Sequence, residues 1–230
     1  MNIPGLEQVH VTFSHEGNIK ILLSIMRFME KNSEIQKEIS ALLANLSGQE
    51  TCRKVMQGMG VLKLMVRNLK NFVDDGKVET EICAVLANLA TNDEIAGEIV
   101  KLEVVPILHK LMARTSGKME HSDLIVQSFH LLTHMLRVDQ LALNGYNFAG
   151  FICDCIPISF AVCEVATASC NLIGSLAYSK SQFYENERVL CKFIFEVMSY
   201  YPKDKILLIT ACFGIAHLIN IYSKFVDVLH

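Results

Sequence analysis

Two nine-residue segments of this chain are nearly identical, and the distance between them constrains the fold. They are Glu38–Leu46 (EISALLANL) and Glu81–Leu89 (EICAVLANL), and they begin 43 residues apart. Self-similarity at a period of about 40 to 47 residues is typical of helical solenoids. Solenoids bind other proteins along an extended surface. The sequence therefore directs the search for function to surfaces.

The same pattern recurs in weaker form further along the chain. Each copy carries apolar residues at helical spacing around one polar position, which we call the anchor residue. The five anchor residues are Asn45, Asn88, His134, Ser175 and His217. The pattern predicts five helices, the anchor helices, near residues 34–47, 77–90, 122–137, 163–178 and 204–221. Shorter apolar segments between them predict two additional helices in each copy.

This three-helix unit resembles the armadillo repeat. The resemblance rests on the small and apolar residues that lead to Asn45-Leu46 and Asn88-Leu89, and it is strongest over residues 34–113. It implies an all-α, right-handed superhelical solenoid of about five armadillo-like repeats, forming a single domain over residues 1–230. The first repeat is expected to lack its short first helix, because the alternating segment Val9–Phe13 is typical of extended chain.

The resemblance also implies a binding site. In armadillo proteins the third helix of each repeat lines a concave groove, where a repeated Asn binds the backbone of an extended peptide. An amide suits this task because it offers a donor and an acceptor together. The candidate groove residues, at helical spacing from the anchors, are Asn45, Asn88, His134, Ser175, His217, Glu38, Glu81, His130, Arg137, Asn171, Tyr178 and Phe213. The alternative is that Asn45 and Asn88 only satisfy backbone groups within the solenoid.

The candidate groove is not uniform along the chain. Its first two repeats are acidic, with Glu38 and Glu81, whereas the later repeats carry histidine, arginine and aromatic side chains. A peptide with a basic residue at one end and apolar or acidic residues at the other would fit this pattern. Nuclear-import receptors of the armadillo class place tryptophans in the groove. This chain has no Trp, which argues against that function.

Composition adds a second candidate surface. The chain is 51% hydrophobic and 20% charged, with a net charge of −3. We therefore expect no strong positive electrostatic potential that would attract nucleic acid. Asp154 and Glu164 are the only ionised residues between Leu141 and Ser179, and polar residues interrupt that stretch too often for a membrane span. In the first part of this stretch, through Phe160, we expect the short and middle helices of the fourth repeat, joined by a turn at Gly150. Six large residues are too many for one buried stripe, so we expect some of them to form an exposed patch for a partner or for self-association: Phe148, Phe151, Ile152, Ile156, Ile158 and Phe160.

Catalytic and cofactor sites are not indicated. No phosphate-binding glycine loop or catalytic motif occurs. His130 and His134 share a helical face, but zinc usually needs a third ligand and the sequence positions none. The eight cysteines lie mostly in apolar helical patterns, as in a reduced intracellular protein. We therefore expect that the protein is not an enzyme and binds neither a cofactor nor a metal. Since no signal peptide is recognised, we expect a cytoplasmic protein, and a nuclear location stays open.

Two functions remain as hypotheses. The first is a non-enzymatic scaffold or adaptor that binds a partner segment in the concave groove. The second is an assembly factor or co-chaperone, resembling the armadillo-like client-binding domains of UNC-45-type proteins or of the tetratricopeptide–armadillo proteins of ciliary dynein assembly. The high apolar content and ten methionines suit adaptable client contact. Suppression of client aggregation would distinguish the second hypothesis from the first.

Overall fold

The computed structural model describes residues 16–179 and 186–226, with side chains described up to residue 220. Twelve α-helices and one 3₁₀ turn make up this part of the chain, and no strand occurs in it. The all-α prediction is thus confirmed for the described residues. The helices are α1 Glu16–Phe28, α2 Ser33–Ser47, α3 Glu50–Gln57, α4 Val61–Asn71, α5 Gly76–Leu89, α6 Asp93–Lys101, α7 Val104–Thr115, α8 Ser122–Val138, α9 Phe148–Ser159, α10 Cys163–Ser179, α11 Glu187–Tyr200 and α12 Lys205–Val226. The predicted extended segment Val9–Phe13 lies outside the described residues.

Polar side chains begin many of these helices. Asn32 accepts a hydrogen bond from Ile35 N, Asp75 accepts one from Val78 N, and Asn92 accepts one from Ile95 N. Such caps satisfy amides that the first helical turn leaves without a partner. Gly60 begins α4 with a φ of 71°, a left-handed conformation that glycine adopts without strain. These residues fix where the helices begin.

The helices pack into two compact units that divide between Leu102 and Glu103. In unit 1, which holds α1 to α6, the anchor helices α2 and α5 pack against each other, and α4 supports α5. In unit 2, which holds α7 to α12, α10 packs against both α8 and α12, and α9 and α11 cover them. Helices occupy all five predicted anchor positions. A single domain over residues 1–230 stays a prediction.

The apolar stretch before Cys163 folds differently from the prediction. One helix, α9, replaces the two expected ones, and Gly150 lies in its first turn rather than between helices. The side chain of Asn147 accepts a hydrogen bond from Gly150 N and so begins α9 at Phe148. The residues between α8 and α9 form turns instead of the expected short helix.

Half of the six residues from which the exposed patch was predicted belong to the core. Phe148, Ile152 and Ile158 are buried and cannot contribute to a surface. The remaining three, Phe151, Ile156 and Phe160, are half-buried. The rings of Phe151 and His109 lie 5.1 Å apart, and those of Phe160 and Tyr200 lie 5.3 Å apart. The apolar excess of this stretch mainly builds the interior of unit 2.

No helix among the described residues is long and apolar enough to cross a membrane.

Candidate functional site

The first candidate surface, the unit 1 face, is the row of anchor-helix side chains on α2 and α5. The two helices run parallel, because Asn88 of α5 reaches Ala44 of α2 at one end while Glu81 acts electrostatically on Lys37 at the other. The predicted residues Glu38, Asn45, Glu81 and Asn88 lie on this row. Both glutamates and both asparagines are exposed or half-buried. The sequence thus predicts a shared face for all four.

The two asparagines of the unit 1 face play different parts. Asn88 Nδ2 donates to the Ala44 carbonyl and to Ser47 Oγ, both at 3.0 Å, and so ties α5 to α2. For Asn88, this contact corresponds to the alternative in which the side chain satisfies a backbone group of the neighbouring helix. Asn45 is exposed, and within the described residues its side chain forms no hydrogen bond. Asn45 alone therefore keeps its whole amide available to a ligand.

The unit 1 face is acidic around a single lysine. Lys37 Nζ lies 2.6 Å from Glu38 Oε1. The hydrogen bond with Glu38, followed by the charges of Glu38, Glu34 and Glu81, raises the pKa of Lys37 above its usual value. Three carboxylates thus act on one exposed ammonium group. The surrounding potential favours a cationic partner group.

The second candidate surface, the unit 2 face, lies on α8, α10 and α12. Gly174 lies against Gly214 and Tyr178 lies against His217, so α10 and α12 run parallel. The His217 ring is 5.2 Å from the Tyr178 ring and 4.4 Å from the Phe213 ring, in edge-on geometry. Tyr178 and Phe213 are exposed. Three predicted residues therefore form one ring cluster at the surface.

An arginine–histidine pair lies on α8, the helix that packs against α10. Arg137 Nη1 is 3.2 Å from His134 Nδ1. Arg137 is exposed in the last turn of α8, while His134 is half-buried. An arginine donor beside Nδ1 suits the imidazole tautomer that carries its proton on Nε2. The pair offers a guanidinium group and a ring nitrogen to an anionic ligand.

The remaining predicted residues of unit 2 are less available. Ser175 Oγ donates to the Asn171 carbonyl at 3.0 Å and so is bonded to its own helix. His130 is half-buried, and burial lowers its pKa below the usual histidine value. Neutral His130 is therefore a poor partner for an anion at neutral pH. The chemistry of the unit 2 face belongs mainly to Arg137, Tyr178 and His217, with their neighbours His134 and Phe213.

The two faces differ in charge. In the described residues of unit 2, no aspartate or glutamate occurs in the later halves of α8 and α10, or anywhere in α12. The unit 1 face carries the carboxylates of Glu38 and Glu81. The sequence predicts an acidic first part and a cationic, aromatic later part of one groove, and that groove stays a prediction.

Metal binding and cysteine reactivity have little support among the described residues. Within the described part of the chain, no group of three or more histidine, cysteine or acidic side chains is placed to hold a metal ion. His130 and His134 therefore find no third ligand there. None of the eight cysteines, which all lie among the described residues, forms a disulfide. Burial raises the pKa of Cys155 to about 11 and that of Cys170 to about 12.

Sequence reasoning missed one surface. Ile206 and Ile209, near the start of α12, are 71% and 72% exposed. Their spacing to Phe213 gave the signal, because residues four and seven apart share a helical face. The groove positions derived from the anchor residue include Phe213 and His217 but not these two isoleucines, whereas Leu207, Ala211 and Leu218 form the buried side of the helix.

Comparison with known proteins supports the fold and nothing finer. Neither a protein-family model nor a curated protein matches this sequence. The crystal structure of an engineered protein from the Northeast Structural Genomics Consortium is similar, with a TM-score of 0.65 over 89% of this chain and 80% of that chain. Their sequences are 19% identical. The chain thus shares its all-helical fold with that engineered protein.

Proposed function

We propose that this chain is a non-enzymatic protein-interaction module built from about five armadillo-like repeats, a scaffold or adaptor that holds an extended partner segment on its anchor helices. The regular spacing of the five anchor helices and the parallel packing of α2 with α5 and of α10 with α12 support the repeat assignment. The observation that carries the function is the exposed ring cluster on α10 and α12, together with the Arg137–His134 pair on α8, the helix that packs against α10.

Each face has its own preferred ligand chemistry. On the unit 2 face, exposed rings offer stacking area and the guanidinium group of Arg137 offers a bidentate contact to a carboxylate. This face suits a segment with an apolar or aromatic residue next to an acidic one. On the unit 1 face, Asn45 offers an amide to a peptide backbone, while Glu38 and Glu81 favour a basic side chain.

A peptide selection tests the proposal. Random peptides displayed on phage are selected against the chain, and each selected peptide is titrated by fluorescence anisotropy. We expect enrichment of acidic-aromatic sequences and a loss of affinity of about tenfold or more for Tyr178→Ala and Arg137→Ala, since exposed anchors of this kind dominate interface energies. Val189→Ala on α11, a comparably exposed apolar residue of the same unit, is the matched control. Peptides that bind the two variants and the control equally would contradict the proposal.

One observation favours the alternative of an assembly factor or co-chaperone. Large apolar side chains are also exposed on helices that form neither face, notably Phe28 on α1 at 87% and Phe195 on α11. Exposed apolar surface of this kind suits contact with unfolded clients. A client-binding protein suppresses the aggregation of heated citrate synthase at stoichiometric amounts, and Phe28→Ser weakens that effect. Undiminished aggregation of the client would remove this alternative.

A further inference from the structure

The solvent-facing side of α4 is almost entirely cationic. Its exposed residues are Lys63, Arg67, Lys70 and Asn71, and the other side chains of the helix are buried. Intervals of four and three residues place the three cations on one helical face, within about 10 Å along the helix axis. No aspartate or glutamate occurs in α4. We call Lys63, Arg67 and Lys70 the α4 cationic stripe.

The repeat does not require cations at these positions. The two nearly identical segments begin 43 residues apart, and the residues 43 positions after the stripe are Pro106, Lys110 and Ala113 of α7. All three are exposed, as the stripe residues are. Proline and alanine therefore serve in α7 where Lys63 and Lys70 stand in α4. The additional charge of α4 is surplus to the packing of the helix.

The charge of the stripe is not neutralised by the described residues. On the neighbouring helices of unit 1, Lys20 pairs with Glu16, Lys37 with Glu38, and Lys54 with Glu50. None of the three stripe residues has an ion-pair partner among the residues that the structure describes. The stripe is therefore available to opposite charges on another molecule.

We infer that the α4 cationic stripe binds a short acidic segment of a partner protein. Charge complementarity identifies this occupant, because three cations within about 10 Å match a segment that carries several carboxylates close together. Arg67 lies in the middle of the stripe, and its guanidinium group can bind one carboxylate through two parallel hydrogen bonds. Lys63 and Lys70 supply point charges on either side.

The charge of the whole chain favours a short segment over a nucleic acid or an anionic membrane. The net charge is −3, with 24 acidic residues against 21 lysines and arginines. A nucleic acid or an anionic membrane extends well beyond three side chains and would also face the carboxylates of the chain. An acidic segment of a few residues contacts the stripe alone.

The inferred contact adds a second kind of binding to the proposed scaffold. The stripe lies on α4, whereas the candidate peptide-binding faces lie on the anchor helices. Exposed ion pairs are individually weak, so we expect a dissociation constant on the order of hundreds of micromolar for an isolated acidic peptide at low salt. A weak contact of this kind raises the overall affinity for a partner that is also held elsewhere.

Fluorescence anisotropy with the whole chain tests the inference. The probe is a labelled peptide with four consecutive glutamates between glycine–serine flanks, and the same peptide with glutamines is the control ligand. Combining Lys63→Gln, Arg67→Gln and Lys70→Gln should weaken binding of the glutamate peptide about tenfold or more. Each single substitution should weaken it about two- to fivefold, because each removes one exposed ion pair. Added salt should weaken binding to the wild type.

A second triple variant controls for net charge. Arg27→Gln, Lys31→Gln and Lys101→Gln remove the same number of charges from exposed positions of unit 1 outside α4. This variant should retain nearly the wild-type affinity for the glutamate peptide. Circular dichroism and urea titration check that both triple variants are folded, and the single substitutions give the same comparison with a smaller change to the chain.

Several outcomes would overturn the inference. They are failure of the glutamate peptide to bind, equal binding of the glutamine peptide, unchanged affinity of the stripe variants, and an equal loss in the charge-matched control. The choice of partner is tested with a single-stranded oligonucleotide that carries four phosphates and with vesicles that contain phosphatidylserine. Stripe-dependent binding of either one that is tighter than binding of the peptide would overturn the assignment to a protein segment.

Discussion

The Phe213 ring of α12 lies directly over Gly174 of α10. A Cβ atom at Gly174 would stand 2.5 Å from Phe213 Cδ1 and 3.1 Å from Gly214 Cα. The missing side chain therefore allows α10 and α12 to approach closely and supports the ring at the surface. Because Phe213 also contacts His217, this glycine positions part of the unit 2 face.

Replacing Gly174 should destabilise the fold. Gly174→Ala forces the ring or the helix backbone to move, at a cost of about 1 to 3 kcal/mol in the free energy of unfolding. Urea denaturation measures it. The control is Gly97→Ala in α6, where a Cβ would meet no atom within 4 Å. There the higher helix propensity of alanine should stabilise the chain by about 0.5 to 1 kcal/mol. Equal effects of the two substitutions would contradict the close approach of α10 and α12.

The two anchor asparagines should respond differently to truncation. Asn88→Ala removes two hydrogen bonds between α5 and α2 and should lower the free energy of unfolding by about 1 kcal/mol or more. Asn45→Ala removes no side-chain hydrogen bond within the described residues and should leave stability within about 0.5 kcal/mol. Thermal or urea unfolding of both variants gives the comparison. A destabilised Asn45→Ala variant beside an unaffected Asn88→Ala variant would reverse the assignment.

Cysteine labelling should follow burial and pKa. Cys212 is exposed and should react first with iodoacetamide at about pH 8, since the thiolate is the reactive form and must be accessible. Cys155 and Cys170 are buried, with the pKa raised to about 11 and about 12, and should react last. Peptide mass spectrometry at successive times reads the order. Early labelling of Cys170 would show that unit 2 is packed differently.

The buried position of His130 should make stability depend on pH. Because the folded chain lowers the pKa of His130, the unfolded chain takes up its proton first as the pH falls through about 6.5. The contribution of neutral His130 to the free energy of unfolding is therefore fully present above that pH and is lost as the pH falls below it. Urea unfolding of the wild type and of His130→Gln is measured at several pH values. The difference between their free energies of unfolding isolates the contribution of His130, because the other groups titrate in both proteins. A difference between the two proteins that does not change from about pH 7.5 to 5.5 would contradict the assignment.

Repetition made the anchor helices predictable, but not every element between them. The pattern around Asn45 and Asn88 predicts α2 and α5 within about two residues, which is the usual uncertainty of helix ends. The segment before Cys163 was misread because Gly150 resembles a turn residue. In the structure Asn147 caps the helix there, and capping depends on local backbone geometry that spacing alone does not specify.

The candidate site was predictable as a row of residues but not as a set of contacts. Helical spacing places Tyr178, Phe213 and His217 on one face, and the structure brings their rings together. Spacing could not reveal that Asn88 bonds to the neighbouring helix, because that bond depends on the close packing of α2 and α5. The six apolar residues from Phe148 to Phe160 are more buried than one stripe would allow for a related reason, since a helix packed on several sides buries more than one stripe.

The central claim, that a peptide binds along the unit 2 face, is tested most directly by the histidine side-chain resonances of the chain. In a ¹H–¹³C NMR titration with a selected acidic-aromatic peptide, the Cε1–H signals of His134 and His217 should shift together and saturate at one dissociation constant. His109 lies on α7, which is not an anchor helix, and packs against Tyr146 and Phe151, so its signal should stay in place. A titration that shifts His109 and leaves His134 and His217 unchanged would contradict the account.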